Sequence, residues 1–146
     1  MTGLDSRLQG ITIDDDAGKI YWVQRDPLWT RVFRASLDGS DTELILLTPE
    51  RLSVITIDPT ADKLYLAEYG IRRMDLNGDN LEPLAEPQIE DLVLDVVNAR
   101  MYWVQRSESS PWGIDIWRAD LEGNGAEIIL HDHFDDNVGF GGGVQR

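Results

Sequence analysis

The chain has 146 residues, about one domain's worth, and sets 13 Lys and Arg against 27 Asp and Glu for a formal net charge of −14. That balance excludes nucleic acid, whose binding depends on Lys and Arg neutralising phosphates, and anionic membrane surfaces; it suits general solvation and the steering of cationic partners. The sequence has no cysteine, no signal-peptide-like apolar segment and no apolar run of 18 residues, so it predicts an unanchored chain placed in the cytoplasm.

From the N-terminus, residues 10–13 read as a short strand, followed by a polar turn over 14–18. Lys19 to Gln24 and Val32 to Leu37 are the next strands, because β-branched and aromatic residues alternate there with polar ones. A turn over 38–41 leads to a fourth strand at 42–46. Asp-Gly and Asn-Gly pairs accept the positive φ that hairpin turns require.

The same order then returns twice. Ile13-Asp14 matches Ile57-Asp58 and Leu94-Asp95; Tyr21-Trp22-Val23-Gln24-Arg25 recurs as Tyr102-Trp103-Val104-Gln105-Arg106, with Tyr65-Leu66-Ala67-Glu68-Tyr69 as a degenerate copy. Further on, Arg34 to Gly39, Arg73 to Gly78 and Arg118 to Gly123 share an Arg-x-x-Leu-x-Gly pattern. The tyrosines at 21, 65 and 102 stand 44 and 37 residues apart, within the period of solenoids, propellers and arrays. An antiparallel four-stranded unit of this length is a β-propeller blade. The fold class is therefore all-β, a single domain over 1–146. Its three blades span about 8–50, 51–88 and 89–132, and a glycine-rich tail covers 133–146.

These repeats resemble the YWTD repeats of the low-density-lipoprotein-receptor type, whose blades read as apolar-Asp, Lys-Leu-Tyr-Trp-Thr-Asp and Arg-Ile-x-x-x-x-Leu-Asp-Gly. The likeness runs from about Leu8 to Leu130. Tyr-Trp is kept at Tyr21-Trp22 and Tyr102-Trp103, whereas Val23-Gln24 and Val104-Gln105 stand where the family has Thr-Asp. The resemblance implies six blades and a binding or interaction role. Three blades do not close a ring, so the simplest expectation is two chains, each supplying half of a six-bladed propeller about a two-fold axis.

With each blade's first strand innermost, the loops between second and third strands share a face with the links between blades. Those loops carry Trp29 and Trp112, and Trp and Arg are enriched at binding hot spots; alternatively the two indoles fold back to fill gaps between blades. Arg25, Tyr69 and Arg106 occupy equivalent places, flanked by Gln24, Glu68 and Gln105. Such a cluster suits a small molecule or peptide of anionic or aromatic character, unless the arginines pair with acids such as Glu68, Glu90 and Asp91. Arg34, Arg73 and Arg118, one per blade, read as structural residues.

His131 and His133 are the only histidines. With Asp135 they carry the ligand types of a metal site, although a solvated terminus is the simpler reading. The second functional class is an enzyme of small-molecule metabolism, with His131, His133 and Glu68 as its catalytic candidates on the dimer axis. No cofactor motif is present, and the run at 139–143 does not follow a strand and open a helix.

Overall fold

The computed structural model describes residues 6–132; His133, Asp135 and the glycine-rich tail lie outside the described residues. The first blade is β1 (Arg7–Asp14), β2 (Lys19–Arg25), β3 (Thr30–Ser36) and β4 (Glu43–Thr48), paired antiparallel in chain order. The third is β8 (Asp91–Asp95), β9 (Arg100–Arg106), β10 (Ile114–Asp120) and β11 (Glu127–Asp132), again in chain order across the sheet.

The middle blade comprises β5 (Leu52–Asp58), β6 (Lys63–Asp75) and β7 (Glu82–Gln88). A straight strand of β6's 13 residues would span roughly 40 Å. Yet Lys63 Nζ lies 2.5 Å from Asp75 Oδ1, so β6 doubles back on itself. Its first half pairs with β5 and its second half with β7. The bend falls at Glu68-Tyr69-Gly70, where Gly70 takes a φ of 93° that a side chain rarely adopts. Counted as a hairpin, β6 gives this blade its four strands.

The repeated Asp residues make the turns. Asp14 Oδ1 accepts the Ala17 amide at 3.1 Å, Asp58 Oδ1 that of Thr60 at 3.1 Å, and Asp95 Oδ1 that of Asn98 at 3.2 Å. A short carboxylate binding backbone a few residues ahead is the reason Asp recurs there.

β1 packs on β5 and β5 on β8, so the first strands lie innermost. Gly10 sits so close to β5 that a Cβ would come within 2.6 Å of the Ser53 carbonyl. Two cores fill the junctions. Tyr21, Val23 and Val32 of the first blade meet Leu52, Ile55, Leu64, Leu66 and Met74 of the second. Tyr65, Ala67 and Ile71 meet Leu92, Met101, Trp103, Ala119 and Leu121 of the third. Each fully buried aliphatic side chain contributes about 1.5–3 kcal/mol.

One arginine in each of the first two blades fastens these junctions. Arg34 forms an ion pair with Glu43 in its own blade and donates to the Leu76 carbonyl of the next at 3.0 Å. Arg73 repeats the arrangement, with Glu82 at 3.0 Å and the Leu121 carbonyl at 3.2 Å, and adds Glu122 of the next blade at 3.4 Å. Tyr65 Oη donates to the same Leu121 carbonyl at 2.9 Å. Burial works against the Arg73 cation, but Tyr65 and Glu82 outweigh it and raise its pKa. Burial also raises the Tyr65 phenol, offset in part by Arg73. Arg118 pairs with Glu127 at 2.6 Å within its own blade.

Candidate functional site

The second-to-third strand bends and the interblade links come together on one face. Arg25 ends β2, and its Nη1 lies 2.5 Å from Glu68 Oε1 at the bend of β6. Arg51, on the link into β5, brings its Nε within 3.1 Å of Glu68 Oε2 and stacks its guanidinium over Tyr69 at 5.4 Å. Burial pushes the Glu68 carboxyl up, but Ser53, Arg51 and Arg25 overcome that and hold it below its ordinary 4.5. Two guanidinium groups thus share one carboxylate, leaving local positive character beside the half-exposed Tyr69 ring.

Glu68→Gln is expected to cost about 1.5–3 kcal/mol, because both guanidinium groups lose their charged acceptor. The lowered pKa means that this stabilisation is complete above pH 4.5 and is lost as the pH falls through the folded-state value. Urea unfolding of parent and variant across this range checks it: the Gln variant should lack that acid-dependent component. An identical acid dependence in both proteins would contradict the assignment.

The two long loops differ in their supports. Asp26 accepts the Leu28 and Trp29 amides at 2.8 and 2.9 Å and also binds Arg31, which brings its pKa down. The loop that carries Trp29 is therefore braced from inside. In the third blade Ser107 N donates to the Gly113 carbonyl at 3.0 Å, closing the loop that carries Trp112. In the single chain both indoles face solvent, 37% and 65% exposed.

Arg106 lies 3.3 Å from Glu90 with a largely exposed side chain, a pairing of small net value. Beside it, Pro87, Gln88, Glu90, Gln105, Arg106 and Glu108 line a cavity of about 190 Å³. Gln105 is buried and accepts the Trp103 indole N–H at 2.8 Å, so it supports the site from behind. Gln24 Nε2 donates to Ser6 at 3.4 Å.

The arginines thus take the acids weighed against a ligand, Arg25 with Glu68 and Arg106 with Glu90. Arg51 went unnoticed in the sequence although it recurs: Arg7-Leu8-x-x-Ile11-Thr12-Ile13-Asp14 returns as Arg51-Leu52-x-x-Ile55-Thr56-Ile57-Asp58. Its cue is that shared Arg-Leu at the start of the innermost strand, which the third blade replaces with Gln88-Ile89.

The structure separates the histidine candidate from the axis. His131 lies on β11, the outermost strand of its blade, with Nδ1 2.7 Å from Oδ1 of the buried Asp115. An acid-base site combining it with Glu68 does not assemble within the described residues of one chain. Among those residues no group of three or more His, Asp or Glu side chains is placed to hold a metal.

Antiparallel blades stacked side by side about their innermost strands define a β-propeller. No family model matches the chain. Protein cueball of Drosophila erecta is 30% identical over 114 residues, covering 73% of this chain and 18% of that protein. Human low-density lipoprotein receptor-related protein 5 is 26% identical over 105 residues, covering 68% of this chain and 6% of that protein. The chain thus spans a small part of these relatives. A chain of a nidogen/laminin complex superposes with a TM-score of 0.74 at 18% identity, over 86% of this chain and 48% of that one. This chain is a distant homologue of the YWTD-type propeller regions of the low-density-lipoprotein-receptor proteins.

Proposed function

We propose that the chain is half of a six-bladed propeller completed by a second copy. Its loop face would then bind a small molecule or peptide with an anionic or aromatic group. The observation that carries the ligand reading is the exposure of Trp29 and Trp112 on braced loops, on the face where Arg25 and Arg51 together exceed the charge of Glu68. Rigid exposed aromatics beside guanidinium groups recognise aromatic carboxylates by stacking and paired hydrogen bonds. Propellers of this type are generally binding modules, and the match to about half of the nidogen/laminin chain supports a half-ring.

Replacing both Trp29 and Trp112 with Ala is expected to change stability by no more than about 0.5 kcal/mol each, since neither fills the core. Binding should fall at least tenfold, taking about 1.4 kcal/mol as the contribution of one stacked ring. The measurement is a heat-of-binding titration of parent and variant with aromatic carboxylates and short acidic peptides. A ligand that binds both proteins equally would move the site elsewhere.

A further inference from the structure

Within one chain, two blade junctions show which positions a neighbouring blade covers, and the two end blades leave those same positions open. On the side facing the preceding blade, Ile55 and Leu92 are buried in the second and third blades, while the equivalent Ile11 is 66% exposed. Leu64 and Met101 are buried, whereas Ile20, with Trp22, Ile11 and Leu8, lines an open cleft of about 340 Å³. On the side facing the following blade, Tyr21 and Tyr65 are buried and their equivalent Tyr102 is half-buried. Val104 and Ile116 are likewise only partly covered, although Val23, Val32, Ala67 and Ile71 are fully buried.

The polar parts of the junction divide in the same way. The Leu-x-Gly turn of each following blade packs on the outer strand of the blade before it. A Cβ on Gly78 would come within 1.9 Å of the Ile45 carbonyl, and one on Gly123 within 2.7 Å of the Leu84 carbonyl. The equivalent Gly39 meets nothing within 4 Å, and Ile129, at the position of Ile45 and Leu84, is exposed. Arg73 reaches Leu121 and Glu122 of the next blade. Their counterparts in the first blade are Leu37, half-exposed, and Asp38, whose Oδ1 is held by Ser40.

From this equivalence we infer how the second copy docks, an inference that rests on the half-ring reading. The third blade of one copy receives the first blade of the other in the register of the internal junctions. Tyr102 and Arg118 of one copy donate to the Leu37 carbonyl of the other, and Arg118 pairs with Asp38. Gly39 seats against Ile129, and Val104 and Ile116 enter the cleft formed by Ile11, Ile20 and Trp22. Such a contact joins unlike surfaces, and it closes when its rotation completes a circle. Three blades of six turn through half a circle, so two copies and two identical junctions suffice.

Sedimentation velocity of the 146-residue chain at micromolar concentration tests the register. The parent should sediment as a dimer. Arg118→Glu and Asp38→Lys should each weaken association at least about tenfold, because each places like charges together. The double variant carries a restored pair at both junctions and should return to a dimer. Gly39→Asn retains a residue that tolerates positive φ yet fills the contact, so it should also dissociate the dimer. Gly18→Asn is the control, since Gly18 also has positive φ and open space, and its equivalents Asp62 and Ala99 stay exposed beside the formed internal junctions. Circular dichroism confirms that each variant is folded.

A parent that sediments as a monomer, or as an oligomer larger than two, would sink the half-ring reading and this register with it. A dimer indifferent to the single charge reversals and to Gly39→Asn would sink the register alone.

Discussion

Gly78→Ala is expected to destabilise the fold by about 2–5 kcal/mol, against about 1–2 kcal/mol for Gly18→Ala, and urea unfolding of the two variants measures the difference. Both glycines have positive φ, 94° and 68°, so alanine carries a left-handed conformational cost at either site of about 1–2 kcal/mol. Beyond that they part. The new methyl at Gly18 meets nothing within 4 Å, whereas at Gly78 it would lie 1.9 Å from the Ile45 carbonyl. That carbonyl sits at the bulge of β4, between the Leu44–Phe33 and Leu46–Val32 pairs with β3, so shifting it disturbs the sheet. Overpacking of this kind adds about 1–3 kcal/mol. Gly123→Ala, with its contact at 2.7 Å, should fall between the two. Equal losses at Gly78 and Gly18 would show that the second blade does not press its turn onto the first as closely as described.

That contact illustrates what the sequence conveys and what it leaves out. Glycine at 39, 78 and 123 announces a turn, because the backbone takes positive φ at each. Nothing local tells that Gly78 and Gly123 are also pressed by another blade, since the opposing carbonyls at Ile45 and Leu84 follow from the placing of whole sheets. Blade order and the alternation of buried residues were legible for a related reason: strand period and repeat period are both properties of the chain itself. The doubling back of β6 was harder to see. Its bend at Glu68-Tyr69-Gly70 has no Pro, Trp or long insertion, unlike the loops of the flanking blades.

The candidate site divides along the same line. Arg25, Tyr69 and Arg106 stand out as equivalent positions, but their partners depend on geometry between blades. Glu68 gathers both Arg25, 43 residues before it, and Arg51, 17 residues before it. The two histidine candidates looked close to function because they are the only ones in the sequence. Strand order decides otherwise for His131, since a residue on the fourth strand of a blade is the farthest from the axis.

Arg73→Met should destabilise the protein by about 2–4 kcal/mol, more than Arg34→Met, with Arg73→Lys recovering only part of the loss. The Arg73 side chain is mostly buried, and its planar fork reaches Glu82, Glu122 and the Leu121 carbonyl while lying 6.0 Å over the Tyr65 ring. A charged hydrogen bond in such a setting is worth about 1.5–3 kcal/mol, and the more exposed carboxylate pairs add up to about 1 kcal/mol each. Methionine keeps much of the aliphatic packing, so the difference reports on the fork. Lysine keeps the charge, but its single ammonium lacks the rigid set of donors that serves two blades at once. Arg34 has the same carbonyl contact, at Leu76, but faces Asn77 where Arg73 meets Glu122, so it loses one ion pair fewer. Guanidinium chloride would screen these ion pairs, so urea unfolding at low salt is the measurement. If lysine restored full stability, the positive charge alone would hold the second junction, and the shared carbonyl would be incidental to it.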